Sequence, residues 1–330
     1  MGYCQRGNEL TVNIPISVQT QVAWGVSRKT FTPFSNGGDP EMKQKKLYDV
    51  FFLAPGFLVY TIFMIVPVIM CFLYSFTNWD GISPTFRFIG LKNFNNLFSD
   101  AAFFNALTVT VIIMVVTALI YNIFGIILAA LLNDKGKLLG ISRSAIFIPT
   151  VLSSVVVAFI WSYMVQTNGG VINSIIQALG GKNVDFYATP MTTIFMISGI
   201  ICWNSLGFFV VIYISTLSTI PQEIYEACKV DGAGWFHRFF YITLPLLAPG
   251  ITINSILSVA GGLKQYDHVK VITGGGPGGA TQTVTLFGVE KAFEYNRRGY
   301  SSAAIIVLFV IIVVLSIVQL AISKKHEVEY

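Results

Sequence analysis

Glu226-Ala227-Cys228-Lys229-Val230-Asp231-Gly232-Ala233-Gly234, continuing to Leu244-Pro245, is the stretch that decides how this chain is read. It is polar, yet it lies between two uncharged runs, roughly residues 191–217 and 240–263, each of membrane-spanning length. Its pattern predicts a short helix, a glycine break and a second helix. A compact helix pair carried on a loop between two spans has the form of a knob that docks in a groove of another protein.

The flanking sequence makes the membrane reading general. Hydrophobic residues make up 54% of the chain and charged residues 11%, where soluble domains have about a quarter charged. Six uncharged runs, roughly 50–76, 106–132, 144–166, 191–217, 240–263 and 301–322, are candidates for spans. About 20 apolar residues rising about 1.5 Å each cross a hydrocarbon core about 30 Å thick, so each run suffices as a helix. Helices are expected because every backbone group in the bilayer needs an internal partner. The expected fold is therefore all-α and polytopic, with six transmembrane helices. The first run lies too far from the N-terminus, and lacks the cleavage-like site, for a removed signal peptide.

Lys and Arg beside the spans set the orientation. With both termini in the cytoplasm, Lys43, Lys45, Lys46, Lys135, Lys137, Arg143, Lys229, Arg238, Lys324 and Lys325 fall inside. The two short outer loops then carry Arg87, Lys92 and Lys182. The last outer loop, near 264–300, runs against the rule with Lys264, Lys270, Lys291, Arg297 and Arg298. An N-in, C-in arrangement is still favoured, because it puts the 218–239 loop on the cytoplasmic side. Inner-leaflet anchoring accounts for most of the net charge of +5, and no nucleic-acid partner is expected.

Cys4, Cys71, Cys202 and Cys228 have neither metal nor disulfide spacing and read as small apolar residues. His237, His268 and His326 share no span. Neither a catalytic group nor a metal site on this chain is expected. Residues 1–41 have no apolar run or periodicity, and Met42 opens the basic string Met42-Lys43-Gln44-Lys45-Lys46. The N-terminal 41 residues are thus expected to be an over-extended start or a disordered tail, with 42–330 as the spanning domain. Pro149 interrupts the third run, and Val171 to Leu179 forms an apolar helix too short to span. Thr273-Gly274-Gly275-Gly276-Pro277-Gly278-Gly279 lacks the Gly-Lys-Ser/Thr ending of a nucleotide loop and reads as a backbone turn.

The string from Ile220-Pro221 through Glu226-Ala227-Cys228 and Gly232 to Pro245 resembles the EAA loop of permease subunits of ATP-binding-cassette importers. Cys228 stands where the pattern has a third small residue. Thr273 to Pro277 is similar to a segment of the maltose-type first permease subunit of carbohydrate importers, and the resemblance covers about 45–330. It implies a cytoplasmic coupling helix between spans four and five, in which Glu226, Ala227, Cys228, Lys229 and Asp231 dock on an ATPase and Gly232 makes the turn. It implies a second homologous permease subunit, an ABC ATPase dimer that carries ATP and Mg, and an extracytoplasmic sugar-binding protein. No cofactor is expected on this chain itself, whose place is the bacterial cytoplasmic (inner) membrane, in contact with membrane lipid.

A polar solute needs hydrogen-bonding groups and an apolar wall along its route. Span four offers Trp203, Asn204, Ser205 and Phe208; span five offers Asn254, Ser255, Ser258 and the Gly261-Gly262 break, then Lys264, Gln265 and Asp267. The resemblance assigns the sugar path to Asn204, Ser205, Phe208, Ser258 and Gly262, with Lys264 and Gln265 beside it. Lys264 and Asp267 either flank this path or pair with each other. A secondary carrier for a polar solute, working without an ATPase, is the alternative. It would want an ion-coupling carboxylate or histidine within a span, and the six runs contain no Asp, Glu or His. The chain also lacks an internal sequence repeat, and a membrane enzyme would want an acidic metal-binding pair at a span end.

Overall fold

The computed structural model describes residues 51–132 and 137–323. Residues 1–50, Met42 among them, residues 133–136, the side chains of residues 137–139 and Lys229, and residues 324–330, Glu327 to Tyr330 among them, lie outside the described residues. The chain divides into two units after Phe63. The described part of the first, residues 51–63, is helical, and its apolar side chains are exposed.

The second unit is built of helices: α1 (Val66–Ser75), α2 (Lys92–Leu97), α3 (Ala101–Leu132), α4 (Lys137–Val151), α5 (Ser154–Met164), α6 (Val171–Ala178), α7 (Pro190–Ser218), α8 (Gln222–Val230), α9 (Trp235–Leu246), α10 (Ala248–Leu263), α11 (Asp267–Ile272), α12 (Val284–Phe293) and α13 (Arg298–Ser323). Among the described residues, extended pairing is limited to one isolated antiparallel bridge, Thr77 to Phe88.

Four stretches are long and apolar enough to cross a membrane singly: Phe51–Ser75, Ala101–Leu132, Pro190–Ser218 and Arg298–Ser323. Two bent pairs pass the same test together, Gly140–Val151 with Ser154–Met164, and Trp235–Leu246 with Ala248–Ile272, bent by 96° and 67°. Six crossings result if each bent pair is one span. The third uncharged run is therefore a broken helix rather than a rod. Pro149 lies in the last turn before the break, where it removes a donor from the helix ladder.

α3 and α7 form the centre. One face of α3 buries Val109, Ile113, Tyr121 and Ala129, while Val115, Leu119 and Ile123 on the other face are exposed. A helix apolar all round, with one apolar face left open, is suited to lipid rather than water. Glycines let these helices approach closely. A Cβ on Gly262 of α10 would stand 2.6 Å from Met114 Cα on α3, and one on Gly207 of α7 would stand 2.3 Å from the Ile146 carbonyl oxygen on α4.

Before α3 the chain makes a compact polar segment. Asn93 donates to the carbonyls of Ser75 and Thr77 at 2.9 and 2.8 Å. Asp80 closes its own turn, accepting from the Ile82 and Ser83 amides at 2.9 and 2.8 Å and from the Ser83 hydroxyl at 2.6 Å. The Ser83 hydroxyl and the two amides pull the Asp80 carboxyl down to about 2. The Thr273–Gly279 stretch is a turn: Gly274 and Gly275 have φ of +61° and +85°. Asn105 pins it by donating to the Gly279 carbonyl at 2.7 Å.

Candidate functional site

The helix, break and second helix expected around Gly232 are present. α8 ends where the Ala233 amide donates to the Cys228 carbonyl at 3.0 Å, and Gly232 between them has φ of +74°. This six-residue closure around a left-handed residue is a Schellman cap. The chain re-enters a helix at Trp235, and a π-helical turn at Phe239–Thr243 carries it into Leu244-Pro245-Leu246. Tyr225 and Thr243 hydroxyls 3.4 Å apart link the two helices.

The pair presents apolar surface to its surroundings. Val230 is 87% exposed and Phe236 72%, beside exposed Ala227, Phe240 and Tyr241. Glu226 and Asp231 are exposed and Cys228 is partly covered. A cleft of about 840 Å³ opens beneath, lined by Leu217, Ser218, Tyr225, Glu226, Arg238 and Phe239 among others. It joins the ends of α3 and α7 to α8 and α9. A rigid, apolar, glycine-hinged projection at the end of long spans can receive a push from a partner and pass it along the spans.

The seven residues expected along a solute path do not share one surface. Phe208 and Lys264 are exposed, while Ser205 and Gln265 are half-buried. Asn204, Ser258 and Gly262 lie inside the helix packing. The Asn204 amide donates to the Pro149 carbonyl at 2.6 Å, bridging α7 to the break between α4 and α5. The Ser258 hydroxyl donates to the Ser255 carbonyl at 3.0 Å, and Gly262 meets α3. Lys264 and Asp267 do not pair among the described residues. Asp267 instead accepts from the Ser154 hydroxyl at 2.5 Å, joining the break between α4 and α5 to the start of α11. An aromatic wall runs nearby on α5 and α7: Trp161 and Trp203 meet edge to face at 5.4 Å, and Phe208 and Phe209 at 5.4 Å.

A polar hub at the centre was missed at the level of sequence. Tyr213 donates to Asn122 Oδ1 at 2.6 Å, the Ser255 hydroxyl reaches the same oxygen at 3.3 Å, and Asn122 Nδ2 donates to the Ala118 carbonyl at 2.7 Å. Asn254 adds a bond to the Phe209 carbonyl at 3.1 Å, and Gln319 one to the Ser255 carbonyl at 3.4 Å. The hub thus ties α3, α7, α10 and α13. The available signal was the isolated amide in each of two otherwise apolar runs, Asn122 in 106–132 and Gln319 in 301–322, since such groups need partners inside a bilayer. His268, also buried, has no hydrogen-bond partner at either ring nitrogen.

Residues 121–328 match a protein family described as the binding-protein-dependent transport system inner membrane component. A probable ABC transporter permease protein of Bacillus subtilis, YurN, is 32% identical over 295 residues, covering 87% of this chain and all of its own length. A probable starch degradation products transport system permease protein of Thermoanaerobacterium thermosulfurigenes, AmyD, is 32% identical over 284 residues, 84% of this chain and 94% of its own. Among solved structures, a bacterial ABC transporter involved in the import of the acidic polysaccharide alginate superposes with a TM-score of 0.76 at 21% identity. That match covers 86% of this chain and 97% of the other, and it speaks for the fold.

Proposed function

The chain belongs to the binding-protein-dependent transport system inner membrane component family, and from that membership we propose that it is one permease subunit of an ATP-driven importer of a sugar or oligosaccharide. It crosses the bacterial inner membrane six times, with both termini in the cytoplasm, and supplies half of a translocation pathway. A second homologous permease supplies the other half. An ABC ATPase dimer holds ATP and Mg and does the hydrolysis, and an extracytoplasmic binding protein delivers the sugar. The transport of starch degradation products assigned to one relative supports the substrate class.

The observation that carries this reading is the glycine-broken helix pair of α8 and α9, projecting Val230 and Phe236 between two membrane-length elements. Glu226, Ala227, Cys228, Lys229 and Asp231 dock on the ATPase, and Gly232 holds the angle between the helices. ATP binding closes the ATPase dimer and moves the knob, biasing the inward- and outward-facing states. The sugar passes along the α7 and α10 faces. Phe208, Lys264, Ser205 and Gln265 touch it, while Asn204, Ser258 and Gly262 fix the helices that line the path.

The test is isolation of this chain from its native membranes in mild detergent, with partners identified by mass spectrometry. Recovery of an ABC ATPase and a second spanning permease, lost on changing Glu226 and Gly232, is expected. Recovery of the chain alone or as a homodimer, with transport indifferent to ATP depletion, would replace this reading with that of a secondary carrier.

A further inference from the structure

On the proposed topology the segment 264–300 faces outward, yet it carries Lys264, Lys270, Lys291, Arg297 and Arg298, against the usual inward bias of such charge. The structure sorts these cations into different kinds. Lys270 is neutralised by Glu294 at 3.2 Å and Glu290 at 3.8 Å, and Lys264 caps α10 away from the rest. Lys291, Arg297 and Arg298 have no ion pair among the described residues. Each is held on aromatic rings instead.

Arg298 is the most constrained. Its guanidinium lies 5.5 Å from the Trp79 ring and 5.2 Å from that of Phe293. Its stem crosses Gly81, where a Cβ would stand 2.1 Å from Cδ, and its Nε has no hydrogen-bond partner. Arg297 stacks on Tyr300 at 4.4 Å and is otherwise exposed. Lys291 lies over Phe287 at 5.1 Å and Tyr295 at 4.6 Å. Aromatic stacking orients a cation and leaves its charge available to an anion.

The neighbouring carboxylates are already engaged. Asp80 accepts three bonds within its own turn. Asp100 accepts from the Tyr300 hydroxyl at 2.7 Å and the Ala102 amide at 2.9 Å. Burial pushes the Asp100 carboxyl up, but the Tyr300 hydroxyl, the Ala102 amide and the field of Lys291 outweigh it and hold it below its ordinary value. Asp100 thereby offsets part of the charge of Lys291, and the two arginines stay unmatched.

Their height on the molecule is equally informative. Arg298 opens α13, a 26-residue apolar span, and Phe293 and Tyr295 just before it are 67% and 60% exposed. Exposed aromatics and cations at the mouth of an apolar helix belong to the headgroup layer of a bilayer. Further along the same helix Phe309, Val310 and Val314 are exposed, a surface suited to acyl chains.

We propose that Arg297, Arg298 and Lys291, framed by Trp79, Phe293 and Tyr295, form a binding site for the phosphate headgroup of an anionic phospholipid in the leaflet at the Arg298 end of α13. The arginine forks bond phosphate oxygens, the rings lie at the level of the glycerol, and the acyl chains run down α13. The bound lipid also braces the segment around Trp79, whose carbonyl accepts from the Gly299 amide at 2.8 Å. Nothing in this site depends on which solute the chain transports.

The experiment uses the full chain in nanodiscs of equal phosphatidylglycerol and phosphatidylcholine, released for native mass spectrometry. Phosphatidylglycerol should be retained preferentially, and Arg297→Gln should lower the retained ratio about fivefold. Arg297 is exposed, so this change leaves the Trp79–Arg298–Phe293 stack in place. Arg297→Gln with Arg298→Lys should lower the ratio further, through loss of the second fork. Lys182→Gln, a cation on another loop, should leave the ratio unchanged. Equal retention by the unaltered chain and Arg297→Gln, or an equal loss with Lys182→Gln, would overturn the site. Displacement of the lipid by millimolar glycerol 1-phosphate would overturn the lipid assignment in favour of a soluble phosphate.

Discussion

Gly232 and Gly262 are glycines for different reasons. Gly232 has φ of +74° and open space around a notional Cβ, so only the backbone conformation demands glycine there. A left-handed L-residue costs about 1–2 kcal/mol, and asparagine pays least among the alternatives. Gly232→Val should leave the chain in the membrane but lower substrate-stimulated ATP hydrolysis of the assembled complex about tenfold, the equivalent of about 1.4 kcal/mol. Gly232→Asn should retain most of it. Equal stimulation by Gly232→Val and the unaltered chain would remove the coupling role. Asp80 is a residue-scale device of another kind. Its carboxyl falls from 3.8 to about 2 on folding, so the stability it adds is present above 3.8 and is lost as pH falls through the folded value. The Ile82 and Ser83 amides should therefore lose protection from hydrogen exchange on acidification toward pH 2, measured against free-peptide rates. Asp80→Asn should abolish that pH dependence.

Among elements, the broken spans are the distinctive feature, and the first break is tied to its neighbours. At the break between α4 and α5, Ser154 donates to Asp267 at the start of α11, and Asn204 reaches from α7 to the Pro149 carbonyl. Pro149 announces its break because proline withholds a donor. The sequence did not reveal that Asn204 would satisfy the backbone there, since that depends on α7 lying beside α4. Asn204→Leu leaves the carbonyl without its side-chain partner and should cost about 1–3 kcal/mol, read as a fall in the thermal midpoint in detergent. Adjacent glycines on α10 separate close packing from mere helix content. Gly262→Ala forces a Cβ to within 2.6 Å of Met114 Cα, while Gly261→Ala meets nothing within 4 Å. The former should destabilise by about 1–3 kcal/mol and the latter should be tolerated, with the same midpoint as the measure.

At the scale of the whole molecule, the proposed topology makes opposite predictions for two exposed positions. A cysteine replacing Lys182 should react with an impermeant maleimide on intact cells. One replacing Asp231 should react only after permeabilisation, and the reverse pattern would invert the orientation. The sequence by itself determined that the chain is helical and spans a membrane, because apolar length and the lack of charge are local quantities. It also determined the helix–glycine–helix knob, because a Schellman turn is encoded in consecutive residues, as Cys228, Gly232 and Ala233 show. Only the tertiary structure decided which polar residues face inward. Asn204, Ser258 and Gly262 share their spans with exposed Phe208 and Lys264, and a helix apolar on every side carries no periodic signal to say which face its neighbours cover. The same holds for the hub of Asn122, Tyr213 and Asn254 and for the stacking of Arg298 between Trp79 and Phe293. Each joins residues far apart in the chain, and their partners exist only once the helices have packed.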